Sequence, residues 1–150
     1  MSETQRGLSP AAARQSSSEA GTPPVTPART TRVAVVDDQP EFLSWVCREL
    51  TGAAGFSVVG HSLRPDCALA TVRESKADLL LVDFDMPGMN GIQVIRQVRE
   101  HAPAVQVVLM SLNGNRMLDS LARSAGAIGF LPKERFSPDA IRVLLDQHDA

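Results

Sequence analysis

An α/β fold, a doubly wound parallel sheet of five strands with helices on both faces, is what this sequence of 150 residues predicts. Three observations carry that reading. Short apolar runs alternate with helix-period segments five times over, through short connections. The run Leu79-Leu80-Leu81-Val82 is apolar on both alternations, as a strand covered on both faces must be. Chemistry-bearing polar side chains stand at or just past the C-terminal ends of four of the five strands, the edge along which open α/β sheets place their sites.

Taken in order, Arg32 to Val36 is a β-branched run that ends in the adjacent carboxylates Asp37 and Asp38. Pro40 fits the first turn of a helix, where its missing N–H costs nothing. Phe42, Leu43, Val46, Cys47 and Leu50 make a core stripe at helical spacing. Phe56 to Gly60 predicts the second strand. Pro65 to Glu74 predicts the second helix, with Ala68, Leu69 and Val72 inward. The third strand runs from Asp78 to Asp83 and gives way to the breakers Pro87, Gly88, Asn90 and Gly91. Gly91 to His101 is the third helix, carrying Ile92, Ile95 and Val98 and closed by Pro103.

Val105 to Ser111 is the fourth strand, again ending in a polar side chain. After Asn113 and Gly114, the fourth helix places Met117, Leu118, Leu121, Ala122 and Ala125 on one face, with Gly126 as its C-terminal cap. Ala127 to Leu131 is the fifth strand, with Lys133 just beyond it. Ser137 caps the fifth helix, Pro138 takes its first position, and Ile141, Leu144 and Leu145 face the sheet.

Residues 1–31 form a separate block rich in Ser, Thr, Pro and Ala. Leu8 and Val25 are its only large apolar residues after Met1, too few to offset the entropy of ordering, so it reads as a disordered tail before a domain at 32–150. At 43% hydrophobic and 21% charged residues, the chain has the composition of a globular protein with a core. A net charge of −2 gives no global attraction to nucleic acid or acidic lipid. Cys47 and Cys67 match no metal or redox spacing and read as small core fillers. No stretch has the length of a membrane span or the pattern of a signal peptide, so a cytoplasmic location is expected.

In a parallel sheet all C-terminal strand ends lie along one edge, so Asp37, Asp38, Asp83, Ser111 and Lys133 converge there. These residues, with the stretches Asp83-Phe84-Asp85-Met86-Pro87-Gly88-Met89-Asn90-Gly91, Leu109-Met110-Ser111 and Gly126-Ala127-Ile128-Gly129-Phe130-Leu131-Pro132-Lys133, resemble the receiver domain of two-component response regulators over about residues 32 to 147. Their flavour is similar to receivers that precede helix-turn-helix domains. The resemblance implies a flavodoxin-like sheet of order 2-1-3-4-5. It implies that Asp83 accepts a phosphoryl group from the phosphohistidine of a sensor histidine kinase or phosphotransfer protein. It further implies that Asp37, Asp38, Asp83 and the backbone carbonyl of Asp85 hold Mg²⁺, that Ser111 and Lys133 bind the phosphoryl group, and that Ser111 and Phe130 form the switch. Helix four, strand five and helix five are then the surface for an output protein or a homodimer. No DNA-binding segment follows the last helix, so output is expected through a protein partner or the tail.

The chemistry supports those roles independently. Close carboxylates repel by on the order of 4 kcal/mol per pair at ~4 Å and an effective dielectric near 20. A hard divalent cation removes that repulsion, and an oxygen-only donor set suits Mg²⁺ rather than Zn²⁺. Lys133 offers a compact charge on a flexible stem. Three positions depart from the family pattern. Leu112 replaces a small residue and is expected to crowd the approach to Asp83, Phe130 replaces Tyr, and Glu134 stands where a proline often follows the lysine. A phosphatase of the haloacid-dehalogenase type also carries a two-Asp motif like Asp83-Phe84-Asp85, but on its first strand with a second acidic pair downstream of the lysine. Here the acidic pair precedes it. No G-x-G-x-x-G follows the first strand, which removes dinucleotide binding. The remaining alternative is a degenerate receiver that acts as a phosphorylation-independent interaction module.

Overall fold

The computed structural model describes residues 29–113 and 116–149. The strands are β1 (Thr31–Val36), β2 (Phe56–Ser62), β3 (Leu79–Asp83), β4 (Gln106–Ser111) and β5 (Gly129–Pro132). The helices are α1 (Pro40–Thr51), α2 (Ala68–Ser75), α3 (Gly91–His101), α4 (Arg116–Ala125) and α5 (Pro138–Asp149). All neighbouring strands pair in parallel, in the order β2-β1-β3-β4-β5, as expected. Most of the segment expected to be disordered lies outside the described residues.

The strands sort their side chains by alternation, which is why the sheet is covered twice. Ala34, Val36, Leu80, Val82, Val107 and Leu109 meet Val72, Val94, Ile95, Val98 and Ala122 of α2, α3 and α4. Val33, Val35, Leu79, Leu81, Val108 and Met110 meet Leu43, Val46, Leu50 and Ile141 of α1 and α5. Leu79, Leu80, Leu81 and Val82 of the central strand are fully buried, so neither face tolerates a polar substitution.

Several boundaries differ from those expected. The sheet begins at Thr31 rather than Arg32, because Thr31 N–H donates to Gly55 O at 2.8 Å. There Asp78 binds the incoming chain, accepting from Arg32 N–H and from the Arg29 guanidinium, each at 2.9 Å. The second helix opens with a 3₁₀ turn at Pro65–Cys67 before α2, and Lys76 ends it at a left-handed φ of 56°. The Arg32 guanidinium holds that terminus by donating to Ser75 O and Lys76 O. β2 continues to Ser62, and β5 is displaced to Gly129–Pro132. Cys47 and Cys67 are both free and half-buried, and Cys47 packs against the α1–α5 side of the core, as expected of a small filler.

Helix α4 corrects the expected apolar face. Leu118 and Ala122 are buried, but Met117 is 70% exposed and Leu121 43% exposed. The helix packs chiefly on the four-residue edge strand β5, so only the narrow i, i+4 stripe finds cover. The caps at Gly126 and Ser137 form as expected: Gly126 takes φ 115°, and Ala140 N–H donates to Ser137 Oγ at 3.0 Å.

Helix α3 begins with a capping box in which Asn90 and Gln93 exchange side chain and backbone bonds of 2.8 and 3.0 Å. Its first residue, Gly91, lies against the end of β3. A Cβ there would stand 2.5 Å from Leu109 Cδ1 and 2.6 Å from the Asp83 carbonyl oxygen. Glycine is what lets α3 start directly beneath the strand end that carries Asp83. Gly91→Ala should therefore lower stability by about 1–3 kcal/mol in equilibrium urea unfolding. The control Gly52→Ala, whose Cβ would meet nothing nearer than 3.6 Å, should leave it nearly unchanged. Equal midpoints for the two variants would overturn this account of the α3 start.

Candidate functional site

β1 connects outward to β2 and β3 connects the opposite way to β4, so a crevice opens between the C-terminal ends of β1 and β3. Asp37 and Asp38 enter it from β1, and Asp83 is the last residue of β3. One carboxylate oxygen from each of the three lies within 4.8 Å of the others. Asp37 and Asp83 are buried, whereas Asp38 is half-exposed at the mouth.

Lys133 reaches in from the 3₁₀ turn Lys133–Arg135 that follows β5. Its side chain is only 4% exposed. Lys133 Nζ lies 2.8 Å from Asp37 Oδ2 and 3.2 Å from Asp83 Oδ1. These two oxygens have no other donor among the described residues, and Asp38 Oδ1 is buried with none. Asp37 Oδ1 is satisfied separately by Gln39 N–H at 2.8 Å, which fixes the rotamer that aims Oδ2 at the lysine.

Burial sets the electrostatics. It lifts the Asp83 carboxyl from the ordinary 3.8 to about 7, with the neighbouring Asp37 charge adding to the rise and the Lys133 ammonium opposing it. Asp37 is likewise raised by burial, against the pull of Lys133 and the Gln39 N–H. Three carboxylates thus face one ammonium, and the excess negative charge is relieved by protonation or by a cation. A donor set of buried carboxylate oxygens, one of them without any partner, fits a hard divalent ion such as Mg²⁺.

The other expected residues stand around this cluster. Ser111 ends β4 fully buried, and its hydroxyl donates to Asp85 Oδ2 at 2.9 Å while accepting from Asn113 N–H at 3.1 Å. Phe130 is half-buried against the α2–α4 side of the core. Leu112, expected to crowd the approach to Asp83, is 63% exposed. Two contacts were not foreseen. The Asp85 side chain, and not only its backbone, takes part through Ser111. Phe42, read as one of the core stripe, sets its ring 4.5 Å from Lys133 Nζ. An acidic residue two positions after the strand-end aspartate was a visible signal for the first, and nothing local signalled the second.

Comparison with known proteins shows the family. Residues 33–146 match the response regulator receiver domain. The chain is 34% identical over 115 residues to the probable transcriptional regulatory protein NarL of Mycobacterium tuberculosis, covering 77% of this chain and 53% of that protein. It is 30% identical over 110 residues to the chemotaxis protein CheY of Thermotoga maritima, covering 73% of this chain and 90% of that one. The solved signal receiver domain of M. tuberculosis NarL superposes with a TM-score of 0.73 at 32% identity, over 81% of this chain and 98% of that domain. The chain spans about half the length of the NarL relatives it matches. It belongs to the response regulator receiver domain family.

Proposed function

We propose that this chain is the phosphoacceptor of a two-component relay, with Asp83 as the residue phosphorylated. The observation that carries the reading is the buried Lys133 ammonium held between Asp37 and Asp83 beside the partnerless Asp38 oxygen. In the reaction, an Asp83 carboxylate oxygen attacks the phosphorus of a phosphohistidine. The P–N bond breaks, its electron pair stays on the imidazole nitrogen, and an acyl phosphate forms on Asp83. The donor is a sensor histidine kinase or a phosphotransfer protein.

Such catalysis is mostly positioning and charge neutralisation, since the nucleophile and the phosphoryl group are both anionic. Asp37, Asp38, Asp83 and the backbone carbonyl of Asp85 would hold Mg²⁺, which supplies charge neutralisation for the phosphoryl oxygens. Lys133 leaves its Asp83 contact to pair with the new phosphoryl group while keeping Asp37. The Ser111 hydroxyl turns from Asp85 to the phosphoryl group, and Phe130 follows into the space this opens. That local charge change becomes a change of surface shape on α4, β5 and α5, where Met117 and Leu121 stand exposed for an output protein or a second copy of the chain. Among the described residues no helix is long and apolar enough to cross a membrane, and we place the relay in the cytoplasm.

Incubation with acetyl phosphate and Mg²⁺ tests the chemistry directly. Intact-mass spectra should gain one phosphoryl group in the wild type and none in Asp83→Asn. Labelling of Asp83→Asn at the wild-type level would overturn the assignment.

A second prediction follows from the raised carboxyl. A group whose folded pKa lies above its unfolded value takes up a proton on folding, so stability falls as pH rises between the two values. For Asp83 that window runs from 3.8 to about 7. Without metal, Asp83→Asn should melt several degrees above the wild type at pH 7.5, and the difference should close toward pH 4. A metal-free Asp83→Asn protein that melts at or below the wild type at pH 7.5 contradicts the electrostatic account.

A further inference from the structure

Phe42 sits in the first turn of α1, half-buried, at a position that helical spacing assigns to the core. Its ring does something a core filler does not. Lys133 Nζ lies 4.5 Å from the ring centroid, while Asp37 Oδ2 and Asp83 Oδ1 take the ammonium at 2.8 and 3.2 Å. The ammonium has three N–H donors and no acceptor, so two carboxylates and one aromatic face account for its surroundings and leave its side chain 4% exposed.

The ring is itself held in place. Phe136 meets it edge-on at 6.4 Å and 76°, and Trp45 lies 5.7 Å away on the same helix. Trp45 and Phe136 close the group at 5.4 Å. Phe136 N–H donates to Lys133 O at 3.1 Å, so the aromatic group joins α1 to the turn that carries the lysine. A lysine stem has four soft torsions and would otherwise sample many positions of its charge.

We propose that Phe42 is a positioning residue for phosphoryl capture: its π face holds the Lys133 ammonium where the phosphoryl oxygens arrive. The inference rests on Asp83 being the phosphoacceptor. An aliphatic side chain of similar volume fills the same space but offers the ammonium no negative face. A tyrosine offers the same face.

The test compares Phe42→Leu and Phe42→Tyr with the wild type by two readouts. In the first, Mg²⁺-dependent labelling by acetyl phosphate should slow about fivefold in Phe42→Leu, the equivalent of ~1 kcal/mol, and recover in Phe42→Tyr. Mg²⁺ affinity should stay at the wild-type value in both, because the three carboxylates are untouched. The second readout needs no phosphorylation. The chain has two lysines, Lys76 and Lys133, so spectra of ¹³C-lysine-labelled protein resolve them. The Lys133 side-chain protons should be shifted upfield by the ring in the wild type and in Phe42→Tyr, and should lose that shift in Phe42→Leu. Wild-type labelling in Phe42→Leu, equal slowing in both variants, or a Lys133 resonance indifferent to the substitution would each overturn the inference. If the wild type itself takes no phosphoryl group, the phosphoacceptor reading fails, and the lysine resonances still decide whether the ring holds the ammonium.

Discussion

One ammonium group buried between two carboxylates governs this molecule. Lys133, Asp37 and Asp83 come from the ends of three different strands, and each is nearly inaccessible to water. Burying such charges costs several kcal/mol per ion unless partners satisfy them, and removing Lys133, the one cation of the group, would strand both carboxylates at a cost of about 3–5 kcal/mol. The rest of the fold serves to bring these ends together. A central strand apolar on both faces fixes the depth of Asp83, and Gly91 lets α3 start directly beneath that strand end. Gln39 fixes the rotamer of Asp37.

The same arrangement is left incomplete on purpose in the physical sense that its charges do not balance. One lysine cannot offset three carboxylates, and burial first, then the neighbouring Asp37 charge, lifts Asp83 to about 7. A site under such strain responds strongly to any charge that enters it, whether a proton, a divalent cation or a phosphoryl group. Ser111 stands ready beside it, its hydroxyl held by the exposed Asp85 carboxylate rather than locked into the core. In the proposed switch this charge-assisted bond would be exchanged for one to the more highly charged phosphoryl group. In the proposed switch, that exchange would reach the half-buried Phe130 on β5, beside β4.

Most of this was legible in the sequence because it is local or periodic. Strand runs, helix stripes, the caps at Gly126 and Ser137, and the strand-end positions of Asp37, Asp83, Ser111 and Lys133 follow from spacing and from the parallel topology. What escaped depends on contacts between distant elements. Met117 and Leu121 have helical spacing suited to a core, but the short strand β5 offers too little surface to cover them. Leu112 lies in a turn whose direction no periodicity sets, and it is exposed. Phe42 meets Lys133 from the far end of the chain, so its role appears only when α1 and the turn after β5 are packed together.

Calorimetric titration of Mg²⁺ tests the central claim most directly, since the whole account turns on an acidic cluster that needs a cation. The wild type should bind one Mg²⁺ per chain with proton release near neutral pH, as the metal would displace the proton of the raised Asp83 carboxyl into solvent. The Asp37→Ala, Asp38→Ala double variant should show no saturable heat. Binding by that variant with the wild-type stoichiometry and affinity would contradict the assignment of the site.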